Sequence, residues 1–179
     1  MDNRAYAVSY NRPYVTKTST FGGPWDFVFG PEYPAIRWLE RNGYDVSYIS
    51  GVDVARSGNL LFDHKMFLSV GHDEYWSAER RENVEAARDA GVHLAFWSGN
   101  EVYWKTRWEP SIDGSGTDYR TLITYKETRA NANIDPSPIE TGTWRDPRFS
   151  EPGQKPENAL TGTMFTVDSY RVDSLDIPY

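Results

Sequence analysis

The sequence contains no cysteine, and this absence excludes disulfide bridges, cysteine-ligated zinc and a cysteine nucleophile. It also lacks any apolar run of about 18 residues, the length that a membrane-spanning helix needs. The N-terminal segment Met1–Tyr14 has no apolar stretch of the kind found in secretory signals. A basic surface is missing as well, because the net charge is −7 and the arginines are scattered. These absences argue against a membrane or a nucleic acid as the partner.

The remaining composition is that of a folded domain. Aromatic residues make up 15% of the chain and hydrophobic residues 39%, which is too much for a disordered protein. The length of 179 residues predicts one domain over residues 1–179. The lack of cysteines and of a signal predicts a cytoplasmic location, with export as part of a longer protein left open. Because both ends are abrupt, we expect a fragment of a longer multidomain protein.

The hydrophobic pattern alternates between strand-like and helix-like segments. The predicted strands are Ala5–Tyr10, Tyr44–Ile49, Lys65–Val70, His93–Trp97, Thr121–Tyr125 and Phe165–Tyr170. The predicted helices are one from Pro34 to Gly43, one capped by Ser77 and ended by Gly91, and short ones at Asp53–Ser57 and Gly99–Trp104. Strands alternating with helices predict an α/β fold with an open, mostly parallel sheet flanked by helices. Asn131–Pro156, rich in Pro, Asn and Asp, predicts a long irregular excursion.

The run Phe67–Trp76, FLSVGHDEYW, concentrates the polar chemistry of the chain. Its apolar strand stops at Gly71 and is followed at once by four polar or aromatic residues: His72, Asp73, Glu74 and Tyr75. Open α/β sheets bind ligands just beyond the carboxyl ends of their strands. The run therefore predicts a metal site or an acid–base site. A structural alternative is that Asp73 and Glu74 only cap the following helix, where carboxylates suit the macrodipole.

Other candidates are weaker when taken singly. Asn100 and Glu101 follow the predicted strand His93–Trp97 and would form a wall of the site. Tyr33, before the first helix, reads by default as a packed aromatic residue, and Glu157 reads as an ordinary carboxylate in a turn. The long loop before Tyr33 carries Phe21, Trp25, Phe27 and Phe29, and loops of this length are often functional.

Several segments together carry a family resemblance. YPAIRWLERNGYDVSY, FLSVGHDEYWS, VEAARDAGVHLAFWSGNEVYWKTRWEPS, TWRDPR and PENALTG resemble the catalytic domain of the large (beta) subunit of N,N-dimethylformamidase. The resemblance covers most of residues 5–168. It implies a fold similar to class I glutamine amidotransferases, which are flavodoxin-like, without their cysteine nucleophile. It also implies that the chain hydrolyses linear amide C–N bonds.

The resemblance further implies one ferric ion held by two tyrosines and a glutamate. The matching positions are Tyr33 before the PAIRWLE helix, Tyr75 in HDEYW and Glu157 in PENALTG. Phenolate and carboxylate are hard oxygen donors, which suit such an ion. A metal bound in this way would polarise an amide carbonyl and supply hydroxide. Proton transfer would then fall to His72, Asp73 or Glu74, and oxyanion binding to Asn100.

The match has gaps, and two other functions stay open. The formamidase subunit is longer and works with a small second subunit, and where the family has a histidine just before the glutamate this chain has Lys155. We expect a small amide as substrate, with further domains, a small subunit or a second copy of the chain as partners. One alternative is a non-catalytic binding module for a ligand or carbohydrate that uses the aromatic loop Phe21–Phe29. The other is a hydrolase with a histidine–carboxylate pair and no metal.

Overall fold

The computed structural model describes residues 4–13, 29–30, 32–149 and 155–166. Along the chain the elements are β1 (Ala7–Ser9), α1 (Glu32–Arg41), α2 (Gly51–Arg56), a 3-10 helix (Gly58–Asp63), β2 (Met66–Gly71), β3 (Tyr75–Ser77), α3 (Ala78–Asp89), β4 (His93–Ser98), β5 (Trp104–Glu109), β6 (Thr121–Ile123), α4 (Glu127–Ala130) and α5 (Asn158–Thr161). The class is mixed α/β, as the sequence predicts. Within the described residues, no helix is long and apolar enough to cross a membrane.

The strands form two sheets instead of the single, mostly parallel sheet that the sequence predicts. One sheet pairs β2 with β4 in parallel, with Met66 opposite His93 and Gly71 opposite Ser98. The other has the order β1-β6-β5-β3, in which β3 and β5 are parallel and the remaining pairs are antiparallel. A loop of residues 110–120 joins β5 directly to β6, so the chain reverses and the pair must be antiparallel. The described strand pairs are therefore mixed, two parallel and two antiparallel, and the narrower likeness to glutamine amidotransferases stays a prediction.

Two local predictions also fail. The segment Tyr44–Ile49 forms no strand, and its large apolar side chains are exposed, with Tyr44 at 54% and Tyr48 at 58%. The predicted helix Gly99–Trp104 is a turn that leads into β5. The excursion after residue 131 is irregular where it is described, as expected. Most of the predicted strand Phe165–Tyr170 and most of the aromatic loop Phe21–Phe29 lie outside the described residues, and Phe165 and Thr166, which are described, are in no strand.

Helix α3 follows the sequence closely and organises the core. The hydroxyl of Ser77 accepts a hydrogen bond from the Arg80 N–H at 3.3 Å and caps the helix. Val84 and Ala87, both fully buried, face inward from α3. They belong to a buried cluster that packs α3 against both sheets and the C-terminal segment: Val54, Leu61, Phe67, Trp76, Val84, Ala87, Val92, Val102, Trp144 and Leu160. This core holds the strand ends that carry the polar residues in fixed positions.

Candidate active site

The turn between β2 and β3 is hydrogen-bonded to the loop after β4, so the two strand-end segments lie together as the sequence predicts. The backbone O of Asp73 accepts the Val102 N–H at 3.0 Å, and the O of Glu74 accepts the N–H groups of Tyr103 and Trp104 at 3.0 and 2.9 Å. These bonds fix HDEYW against SGNEVYW. Val102, fully buried, has a left-handed φ of 55°, which lets the loop turn back sharply into β5.

Asp73 has a bracing role in this arrangement. Its two carboxylate oxygens accept hydrogen bonds from Arg80 of α3, each at 2.7 Å, and Ser69 of β2 donates its hydroxyl to the same group. The Trp76 indole donates to the Asp73 backbone O at 2.9 Å. Asp73 thus ties the end of β2 to the first turn of α3 through the Arg80 side chain, whereas the cap of the helix is Ser77 and not Asp73.

Glu74 and His72, two of the residues that the sequence predicts for acid–base chemistry, are in contact. Nε2 of His72 lies 3.0 Å from one oxygen of Glu74, and the Trp104 indole donates to the other oxygen at 2.8 Å. Burial alone would raise the pKa of Glu74, but the His72 contact, the nearby Lys126 charge and the Trp104 hydrogen bond hold this pKa below its usual value. Glu74 is therefore an anion at neutral pH and orients the more exposed imidazole of His72.

Tyr75 is held by a residue that the sequence analysis missed. The Lys126 ammonium donates to the Tyr75 hydroxyl and lies 4.7 Å from the centre of the Tyr75 ring and 5.0 Å from that of Trp104. Burial lowers the pKa of Lys126, and the Glu74 charge opposes this effect. Lys126 has a left-handed φ of 53° and comes soon after β6. Its position shortly after a predicted strand is the sequence feature that indicates a site role for Lys126.

Glu157 lies beside a different cation. Its carboxylate, 2% exposed, forms two hydrogen bonds with the Arg145 guanidinium, one of them at 3.2 Å. Arg145 also donates to the Phe165 backbone O at 2.7 Å and lies 5.1 Å from the centre of the Tyr103 ring. Arg81 of α3 holds the preceding chain by donating to the backbone O of Lys155 at 2.5 Å. Glu157 is therefore buried and fixed by Arg145 at the start of α5.

The remaining candidates lie on separate elements. Tyr33 is in the first turn of α1 and is 47% exposed. Asn100 is half-buried in the turn after β4. Its neighbour Glu101 is 3% exposed, and one oxygen of its carboxylate accepts the Thr163 hydroxyl at 3.0 Å. In the part of the chain that the structure describes, no three His, Asp or Glu side chains are grouped as a metal site. A site that includes tyrosine ligands is a different case.

The oxygen donors named by the resemblance fit a ferric ion by their chemistry. Phenolate and carboxylate are hard ligands. The Tyr75 oxygen contacts Lys126 and the Glu157 carboxylate contacts Arg145, so each of these two oxygens already has a cation beside it. A position that pairs with a cation stabilises negative charge, which a ligand of a metal cation must carry.

Comparison with family models identifies the chain. The model for the C-terminal part of proteins like the N,N-dimethylformamidase beta subunit matches residues 1–177. The chain belongs to this family. A comparison with curated proteins found no match. Membership confirms the resemblance read from HDEYW, SGNEVYW and PENALTG, and it places the His72–Glu74 pair and Tyr75 in a family named for an amide hydrolase.

Proposed function

We propose that the chain is a hydrolase of linear amide C–N bonds, with iron held by Tyr33, Tyr75 and Glu157. The observation that carries the proposal is the Tyr75 phenol in contact with Lys126, next to the His72–Glu74 pair. Membership in the dimethylformamidase-like family supports the reaction type. The ion, when bound, would supply Lewis acidity toward the amide carbonyl.

The residues around Tyr75 supply the proton chemistry. His72, oriented by the Glu74 carboxylate at 3.0 Å, is placed to take a proton from water and return it to the leaving amine. The Lys126 ammonium compensates negative charge at the Tyr75 oxygen. Asn100, in the adjoining loop, is proposed to donate to the oxyanion that develops on the carbonyl. Asp73 is left out of the chemistry because Arg80 engages both of its oxygens.

The test is to replace Tyr75 and follow metal and activity together. The full chain is loaded with iron, and iron content, visible absorption and amine release from small amides are measured. Tyr75→Phe should lower the iron content and weaken the phenolate-to-iron band, whereas replacement of Tyr119, a half-buried tyrosine near Trp108, by phenylalanine should leave both unchanged. Equal iron content and an equal band in the two variants would refute metal binding by Tyr75.

A second candidate rests on the His72–Glu74 contact alone. This pair is the arrangement that a metal-independent hydrolase uses to activate water. Amide hydrolysis that survives removal of iron by a chelator but is lost in His72→Gln would favour this candidate over the iron enzyme. The binding-module alternative depends on the aromatic loop, of which only Phe29, 65% exposed, is described.

A further inference from the structure

A cleft opens beside Tyr75 on one face of the four-stranded sheet. Its volume is about 380 Å³, within the range of small-molecule sites. Tyr75 forms part of its wall, so a molecule in the cleft lies next to the candidate active site. Val8 of β1 and Leu122 of β6 also line the cleft, and next to these strands the rings of Tyr6 and Tyr125 stack with centres 4.5 Å apart. This aromatic pair offers a flat surface for an apolar group.

The charges around the cleft are all of one sign. Arg4, Arg12 and Lys126 line it, and no Asp or Glu does so among the described residues. This concentration of positive charge stands in a chain whose net charge is −7. Cations lining a confined cleft raise the local concentration of anions, and the planar fork of arginine matches a carboxylate. The cleft is therefore complementary to an anionic ligand.

A buried hydroxyl in the same wall points to a ligand independently. Thr124 lines the cleft, is 8% exposed, and has no hydrogen-bond partner for its hydroxyl within the described part of the chain. Most buried polar side chains in proteins do have a partner. Because Thr124 lines the cleft, rotation of its side chain would turn the hydroxyl toward the contents of the cleft, and as a donor it suits an anionic oxygen.

We propose that the cleft binds a carboxylate of the substrate, so that the amide hydrolysed beside Tyr75 belongs to an acidic amide such as an N-acylated amino acid. The proposal rests on the proposed amide hydrolysis for the reaction, and on the cleft for the substrate class. Arg4, Arg12 and Lys126 attract the carboxylate, Thr124 donates to it, and the stacked tyrosines contact an apolar side chain.

Binding of two matched ligands tests the proposal without requiring turnover. N-acetylphenylalanine and N-acetylphenylalanine amide share a ring and an acetamide group and differ in the carboxylate. Calorimetry on the full chain should show the acid binding at least about tenfold more tightly, as expected for a hydrogen bond to a charged group. Equal binding of the two ligands, or tighter binding of the neutral amide, would overturn the proposal.

Two threonine variants locate the carboxylate. Thr124→Val removes a hydroxyl that has no internal partner, so the fold should be kept while the preference for the acid falls about tenfold. Thr106→Val is the matched control. Its hydroxyl is also buried and without a partner among the described residues, but it lines an adjoining cavity of about 140 Å³ instead of the cleft. An equal loss in both variants would refute the role of Thr124. Arg12→Gln gives a second measure of the same preference if Thr124→Val does not fold.

Acetate released from N-acetylphenylalanine is measured to distinguish failure of the proposed substrate class from failure of the proposed amide hydrolysis. Binding of the acid without its hydrolysis would support the ligand class and contradict the amidase activity. Hydrolysis of small neutral amides by a chain that does not bind the acid would contradict the ligand class and leave the amidase standing.

Discussion

Glu127 holds the chain that carries Lys126, and its replacement by glutamine is the sharpest test of how the site is built. Glu127 is fully buried at the start of α4. One carboxylate oxygen accepts the N–H groups of Ile134 and Asp135 at 3.2 and 3.1 Å, and the other accepts that of Thr141 at 2.8 Å. The carboxylate therefore gathers the irregular chain of residues 131–141 against Lys126, whose left-handed backbone needs such support.

The size of the effect follows from these contacts. In Glu127→Gln an amide NH₂ must face either the Thr141 N–H or the N–H pair of Ile134 and Asp135, so at least one bond is lost. A hydrogen bond to a charged group contributes about 1.5–3 kcal/mol, and the remaining bonds weaken because the acceptor is now neutral. We expect a loss of about 2–4 kcal/mol in the free energy of unfolding. For a chain of this size, that lowers the Tm by roughly 5–15 °C.

Thermal unfolding followed by circular dichroism measures this change, and Glu82→Gln is the control. Glu82 is exposed on α3, and its replacement removes the same charge, so its Tm should stay within about 2 °C of the wild type. Hydrogen exchange should speed up in residues 131–141 of Glu127→Gln, and amide hydrolysis should fall as Lys126 loses its support. A Tm for Glu127→Gln equal to that of Glu82→Gln would refute the reasoning.

Two further substitutions test the core that positions the site. Burial raises the pKa of Glu85, but hydrogen bonds from Arg81 and a lysine more than offset this and hold the pKa below its usual value. The contribution of Glu85 to stability is therefore present at pH 7 and lost as the pH falls below about 4.3. The destabilisation by Glu85→Gln, measured by thermal unfolding, should shrink toward about pH 3.5. A destabilisation that stays constant with pH would contradict the lowered pKa. A Cβ on Gly58 would lie 2.2 Å from Cγ of Asn83, so Gly58→Ala should lower the free energy of unfolding in urea by about 2–4 kcal/mol. Gly99→Ala is the control, because a Cβ on Gly99 would lie in open space and should leave this free energy unchanged.

The segments with strong local signals could be predicted from the sequence. Helix α3 has a capping serine and inward-facing Val84 and Ala87, and the predicted helix agrees with the observed Ala78–Asp89 within two residues. Strand β5 is not among the predicted strands, since Lys105 and Arg107 interrupt its apolar pattern. In the structure Lys105 is 4% exposed, with its ammonium 5.7 Å from the Trp144 ring. Burial of a charge beside an aromatic ring is a tertiary effect that no local pattern records.

In the candidate site, too, local contacts could be predicted from the sequence and long-range contacts could not. The contact of His72 with Glu74 spans two residues and follows from a local pattern. The contact of Tyr75 with Lys126 spans 51 residues and depends on how strands pair. The placement of Tyr33 and Glu157 around one ion is a family-based prediction, and their present environments, a half-exposed helix turn and a buried ion pair with Arg145, do not follow from local sequence.

The antiparallel pairing that the sequence did not predict is what brings Lys126 to Tyr75. Tyr75 lies opposite Trp104 at the start of two parallel strands. Because β6 runs antiparallel to β5, the residues after β6 return toward the start of β5. There Trp104 pairs with Thr143, and the Lys126 ammonium lies over the Tyr75 and Trp104 rings, 4.7 and 5.0 Å from their centres. If β6 ran parallel to β5, the chain would reach Lys126 at the other end of the strands, and the Tyr75 oxygen would have no contact with its ammonium. The departure from a parallel sheet is thus the feature that builds the candidate site.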